Sequence, residues 1–242
     1  MKLESPTLGA WTPEAGHRTL AEKAFVALHD AIVRGELKPG ERLPIEDLAE
    51  VLDMSPMPIR EALRRLDSAG LVENVPHRGA RITELSLDDL RDVYQARLAL
   101  EPLAVEHAAG RFSDADTQRG RERLDGLNKL GDRASSDAWA AHTAFHFALY
   151  EAAGSPWLLR LIRPLWESSE RYRLAAPSKR NLSMRREEHE RILRACTEHR
   201  PDVARAELHN HLARTANMVA GSMGGDDLFE PVEVPKPRRK RA

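Results

Sequence analysis

The sequence predicts a mainly α protein, an N-terminal winged helix-turn-helix followed by an all-α antiparallel helical bundle. Three observations carry this. Two short amphipathic segments, Leu43–Asp53 and Ser55–Gly70, meet at a very tight turn. Behind them, L-V-E-N-V and A-R-I-T flank a turn containing Pro and Gly, as two short strands do. From about residue 86 onward the apolar residues recur at helical spacing and no strand signal returns.

Residues 1–17, punctuated by Pro6, Gly9, Pro13 and Gly16, lack periodicity and read as a flexible tail. Thr19-x-x-Glu22 is a capping-box signature. It opens a helix to about residue 34 with Leu20, Ala24, Ala27, Leu28, Ala31 and Ile32 on its apolar face. Pro39-Gly40 marks a turn. In the first helix of the pair, Leu48, Ala49 and Leu52 form the apolar set. In the second, Ser55 suits the N-cap and Pro56 the first helical position, while Gly70 can close the helix in a left-handed cap. Ile59, Leu63 and Leu66 form its apolar stripe, and Arg60, Arg64 and Arg65 lie off it. His77 and Arg78, followed by Gly79, fall at the tip of the wing.

The second helix of such a unit sets its N-terminal residues against base edges in the major groove. Residues 18–83 are therefore expected to bind DNA, through Ser55, Met57, Arg60, Arg64, Arg65, His77, Arg78 and Gly79. That expectation rests on local placement. The chain carries 37 Lys and Arg against 38 Asp and Glu, so its net charge of −1 gives no global attraction to phosphate.

Helices are predicted over about 86–110, 113–131, 135–153, 156–175, 182–199 and 201–220, with Gly154-Ser155-Pro156 and Pro201-Asp202 as breaks. Together they make a second domain, 84–223. Beyond it periodicity is lost, and residues 224–242, ending K-P-R-R-K-R-A, read as a basic disordered tail. The lone Cys196 excludes an internal disulfide and fits a reducing cytosol. No apolar run approaches the roughly 20 residues of a membrane span, and no signal peptide follows Met1. A cytoplasmic protein with no membrane partner is expected.

The histidines of the bundle invite a chemical reading. His142 and His146, in H-T-A-F-H, project from one helix face, and His189 and His211 stand on the last two helices. Facing helices of a bundle can bring such side chains into one cavity. Four neutral imidazoles there would suit Zn, Ni, Cu or Fe and would suit Mg or Ca poorly. On spacing alone, surface or hydrogen-bonded core histidines explain the pattern better than a metal site does. Arg97 and Glu101, one turn apart, read as an ordinary helix pair, and Trp139, Trp157 and Trp166 as core. A metal-dependent hydrolase is one alternative. However, H-T-A-F-H lacks the Glu of H-E-x-x-H and no Ser or Cys nucleophile motif appears, so no enzyme is expected. A winged-helix protein-interaction module is the other.

L-K-P-G-E-R-L, L-A-E-V-L-D-M-S-P-M-P-I-R-E-A-L-R-R-L, G-L-V and R-G-A resemble the N-terminal domain of the GntR-family transcriptional regulators. R-L-A-L-E, F-H-F-A-L-Y-E-A-A-G-S-P-W-L, E-H-E-R-I-L and H-N-H-L resemble the all-helical FCD-type ligand-binding domain of its FadR branch. The resemblance implies a homodimeric repressor on a palindromic double-stranded operator, controlled by a small effector, commonly a carboxylate, in the helical domain. It also implies a divalent metal held by one Asp and three His. Those three match His146, His189 and His211. The Asp position is His142 here, which favours a borderline transition metal such as Zn or Ni. Arg97 matches an arginine near the cavity and is implied to pair with the effector carboxylate. In the reading helix, Pro56 and Met57 replace the usual Arg-Thr pair, while Arg60 keeps the capacity for two hydrogen bonds to guanine.

Overall fold

A computed structural model describes residues 19–33, 35–75, 79–130, 136–175 and 182–236. It divides into two compact units, one of residues 1–89 with 164–175, the other of residues 90–163 with 176–242.

The first unit contains the winged helix-turn-helix. Helix α1 (Leu20–Val33) is opened by the predicted cap, the Glu22 amide donating to Thr19 Oγ1 at 3.1 Å. Its Ala24, Ala27, Leu28 and Ala31 are buried in one cluster with Ile59, Ala62, Leu63 and Leu66 of α3 (Pro56–Ser68). Between them lie a two-residue strand β1 (Arg42–Leu43) and helix α2 (Ile45–Val51), where the sequence predicted helix from Leu43 onward. Pro44 resolves that difference, because the residue before a proline is pushed toward extended backbone. Strands β2 (Val72–Val75) and β3 (Gly79–Ile82) complete an antiparallel sheet in the order β1-β3-β2, with Glu73 facing Arg81 and Leu43 facing Ala80. Arg81 is held across the strands by Glu73, its Nε 2.6 Å from Oε1.

Ser55 stands at the N-cap of α3 but makes no side-chain cap bond. An N-cap hydroxyl serves the amide of the second or third helical residue, and the third here is Pro58, which has no N–H. Gly70 takes the left-handed conformation, φ 70°, that the sequence predicted.

The second unit holds most of an all-α bundle: α4 (Leu87–Ala109), α5 (Asp114–Leu130), α6 (Ser136–Glu151), α7 (Pro156–Ala175), α8 (Leu182–Thr197) and α9 (Pro201–Ser222). Helix α7 is shared. From Pro164, whose ring removes one helix hydrogen bond, it belongs to the first unit. There the buried Arg171 guanidinium donates to the carbonyls of Ser168 and Thr83 and to Asp89 at 2.5 Å, while the Tyr172 hydroxyl donates to Asp89 at 2.5 Å.

Helix α9 is buried along most of its length. Past it, Gly224 at φ 82° reverses the chain, and residues 226–236 run back along α9, hydrogen-bonded to Asn217 and Asn210. The expectation of a disordered tail from 224 onward is corrected for these residues. Their register is set by side chains of α9, which no local periodicity reveals. Residues 1–18 and 237–242, and so the two tail ends, lie outside the described residues. No helix among the described residues is long and apolar enough to cross a membrane.

Gly79 also has φ 83°, and a Cβ there would stand 3.0 Å from the carbonyl oxygen of Leu43. Gly79→Ala is therefore expected to destabilise the winged domain by about 1–3 kcal/mol, measured as a lower urea midpoint. An unchanged midpoint would show that the wing relaxes freely.

Candidate metal centre and DNA-reading face

Residues on three helices build the centre. α6 supplies His142 and His146, one turn apart, α8 supplies His189 and α9 supplies His211. All four are buried, and one ligating atom from each lies within 4.8 Å of the others. His146 Nε2 stands 3.2 Å from both His142 Nε2 and His189 Nε2.

The surroundings decide which nitrogens carry protons. The Tyr150 hydroxyl donates to Glu101 Oε2 at 2.7 Å, so toward His146 Nδ1, 3.2 Å away, its oxygen can only accept. His146 therefore carries its proton on Nδ1 and turns the lone pair of Nε2 into the cluster. His211 Nδ1 lies 2.7 Å from the buried Glu188 carboxylate, which must accept, and this again leaves the lone pair on Nε2. Glu188 is itself held by Arg214 Nε at 2.7 Å. Partners that orient a ring from behind are the usual support of metal-binding histidines. The spacing also fits: two nitrogens on one zinc at about 2.0–2.1 Å in a tetrahedron stand roughly 3.3–3.4 Å apart. The residues present fit a four-nitrogen transition-metal site.

Arg97 lies at the far end of the same network. It is buried, and its Nε and Nη2 bind the two oxygens of Glu101 at 2.5 and 3.1 Å. Burial alone would lower the guanidinium, but the Glu101 carboxylate more than reverses this and holds it above its ordinary value. The pair that spacing made an ordinary helix pair is buried and leads through Tyr150 to His146. Burial and the Glu101 carboxylate together hold the Tyr150 phenol well above its ordinary value. Cys196 is buried, which pushes its thiol up to about 12. Trp166 is core, as expected, whereas Trp157 is 69% exposed. On helix α7 it flanks Leu161, also exposed, with Arg160 stacked on its ring.

Sequence reasoning missed Tyr150 and Glu188. Tyr150 had a signal, one turn beyond His146 on the same face. Glu188 had none, since its partners come from α9.

On α3, Ser55, Met57, Arg60 and Arg64 are all exposed, and Met57, Arg60 and Arg64 share one face at spacings of three and four. Arg65 does not join them: it is turned away and stacks over the Phe25 ring at 4.1 Å. His77 and Arg78 lie outside the described residues.

Residues 20–82 match the model for bacterial regulatory proteins of the gntR family, and residues 92–214, about half the chain, match the FCD domain. The chain belongs to the GntR family. Its relatives include the probable D-xylose utilization operon transcriptional repressor of Paenarthrobacter nicotinovorans, 32% identical, with 81% of this chain and 87% of that one covered. They also include the transcriptional repressor GlaR of Escherichia coli, 28% identical over 82% and 95% of the two chains. The solved structure of E. coli McbR/YncC superposes with a TM-score of 0.73 at 25% identity, covering 86% of this chain and all of that one. This GntR-family chain is accordingly a DNA-binding transcriptional regulator and not an enzyme, which disposes of the hydrolase alternative.

Tyr150→Phe removes the acceptor of His146 Nδ1–H and leaves a buried donor without its partner. It is expected to cost about 1–3 kcal/mol of stability, read by urea denaturation. A cost near zero would mean that the tautomer of His146 is set elsewhere.

Proposed function

We propose that this regulator is a homodimeric repressor acting in the cytoplasm, and that a small carboxylate bound beside a divalent transition metal in the helical domain sets its affinity for a palindromic operator. The observation that carries the metal reading is the convergence of four buried imidazoles, two of them turned lone pair inward by Tyr150 and Glu188. His142, His146, His189 and His211 would hold the ion, zinc or nickel by donor chemistry. All four ligands are neutral, so the ion would keep its double positive charge and draw an anion. That is the chemistry it supplies.

Arg97 supports the carboxylate, since its planar fork suits one. Beside it the Tyr94 hydroxyl is buried with no hydrogen-bond partner among the described residues. Such a group costs about 1–3 kcal/mol, and a ligand oxygen would answer it. Glu101 already occupies part of the Arg97 fork, so an effector would have to share or displace it. In the reading domain, Ser55, Met57, Arg60 and Arg64 of α3 would contact the operator, with His77, Arg78 and Gly79 at the wing. The free Ser55 hydroxyl suits a phosphate, Met57 a thymine methyl and Arg60 a guanine. The repressor names of two relatives support the direction of control.

Two experiments test this. Purified protein should carry about one transition metal per chain by elemental analysis. His146→Ala should lose it, and chelation should lower the melting temperature of wild type only. Metal-free wild type with an unmoved melting temperature would end the metal reading. Separately, a site selected from random DNA should bind Arg60→Ala about 1–3 kcal/mol more weakly at fixed salt, with unchanged circular dichroism. Equal binding would remove Arg60 from the interface.

A further inference from the structure

We propose that α9 carries a main-chain clamp formed by Asn210 and Asn217, and that residues 226–236 of this chain are its detachable occupant. Each asparagine engages the strap with both ends of its amide. Asn217 Oδ1 accepts from the amides of Leu228 and Phe229 at 2.8 and 3.0 Å, and its Nδ2 donates to the Phe229 carbonyl at 2.8 Å. Asn210 Oδ1 accepts from the Val232 amide at 2.7 Å and its Nδ2 donates to the Val232 carbonyl at 2.9 Å. Arg200 Nη2 continues the series on the Pro235 carbonyl at 3.2 Å.

The geometry explains why two asparagines at this spacing suffice. Seven helical residues rise about 10.5 Å, and three residues of extended chain cover about 10 Å. Asn217 and Asn210 therefore meet Phe229 and Val232 in register, one bidentate amide for every third strap residue. Between them on the same face stands Ala213, buried and too small to hold the backbone away.

Among the described residues, every bond of the clamp goes to strap backbone and none to a strap side chain, so the clamp recognises an extended peptide rather than a sequence. Little apolar burial assists it. Glu230, Val232 and Glu233 are exposed, and Leu228 and Phe229 are only half-buried. Asn217 and the strap both lie beyond residue 214, where the family match ends.

The test uses the full chain. Hydrogen exchange at the Leu228, Phe229 and Val232 amides should be slowed at least about 10-fold relative to a free peptide of residues 226–236. The combined variant Asn210→Ala, Asn217→Ala should return them to the free rate. The protease Glu-C should then cut after Glu233 about 10-fold faster. Should that variant lose its helical circular dichroism, Asn217→Asp keeps the acceptor and loses the donor, and should give intermediate protection at Phe229. Free exchange in wild type, or protection untouched by both variants, overturns the clamp. Protection that grows with protein concentration overturns the assignment to the chain's own strap, because the occupant would then come from a second copy.

Discussion

Burying four imidazoles around one point constrains everything near them. A neutral ring offers one donor and one acceptor nitrogen, and here Tyr150 and Glu188 claim the donors of His146 and His211 from outside. Two lone pairs then face inward among buried side chains. Inside the cluster, His146 Nε2 stands within hydrogen-bond distance of both His142 Nε2 and His189 Nε2, so each ring fixes the position of the next. The helices must also hold still. One turn separates His142 from His146 on a rigid element, while His189 and His211 depend on the tight connection between α8 and α9. That connection turns at His199, φ 51°, whose ring nitrogen reaches the Ala109 carbonyl at 3.1 Å.

The charges around this centre follow one rule. Arg97 lies against Glu101, and Glu188 against both His211 and Arg214. In the other unit, Arg171 lies against Asp89. Removing one member of a buried pair is costly because the other is left uncompensated. The Arg97–Glu101 pair lies within α4, whereas Glu188 ties α8 to α9 and Arg171 ties α7 to α4. The Arg171 and Tyr172 contacts fasten the end of α7 to the start of α4 at Asp89, three residues beyond the Ser86 cap.

Much of this was legible because it is local. Caps, breaks and apolar periods reported the helix ends, since each depends on residues within a turn or two. His142 and His146 announced themselves by their spacing. Bundle geometry allowed His189 and His211 to join them, and the resemblance singled them out, but spacing could not, because convergence of three helices is a tertiary fact. Glu188 was invisible for the same reason: beside His189 in sequence, it serves His211. Strand β1 is two residues long, too short for alternation to show. Arg65 looked like its neighbours Arg60 and Arg64, and only the position of Phe25 on α1 turned it away. The strap was hidden because its amide partners are polar residues of a helix whose pattern predicts merely that it is buried.

Cys196 has a practical consequence. Sulfhydryl reagents are attacked by the thiolate, and a buried thiol pushed up to about 12 offers almost none at neutral pH. The one cysteine of this chain is thus shielded from such reagents while the fold holds. A fluorophore could therefore be attached at a newly introduced surface position without first stripping out a native residue. Motions of the reading helix and of the helical domain could then be followed in separate single-label proteins, each otherwise of native sequence.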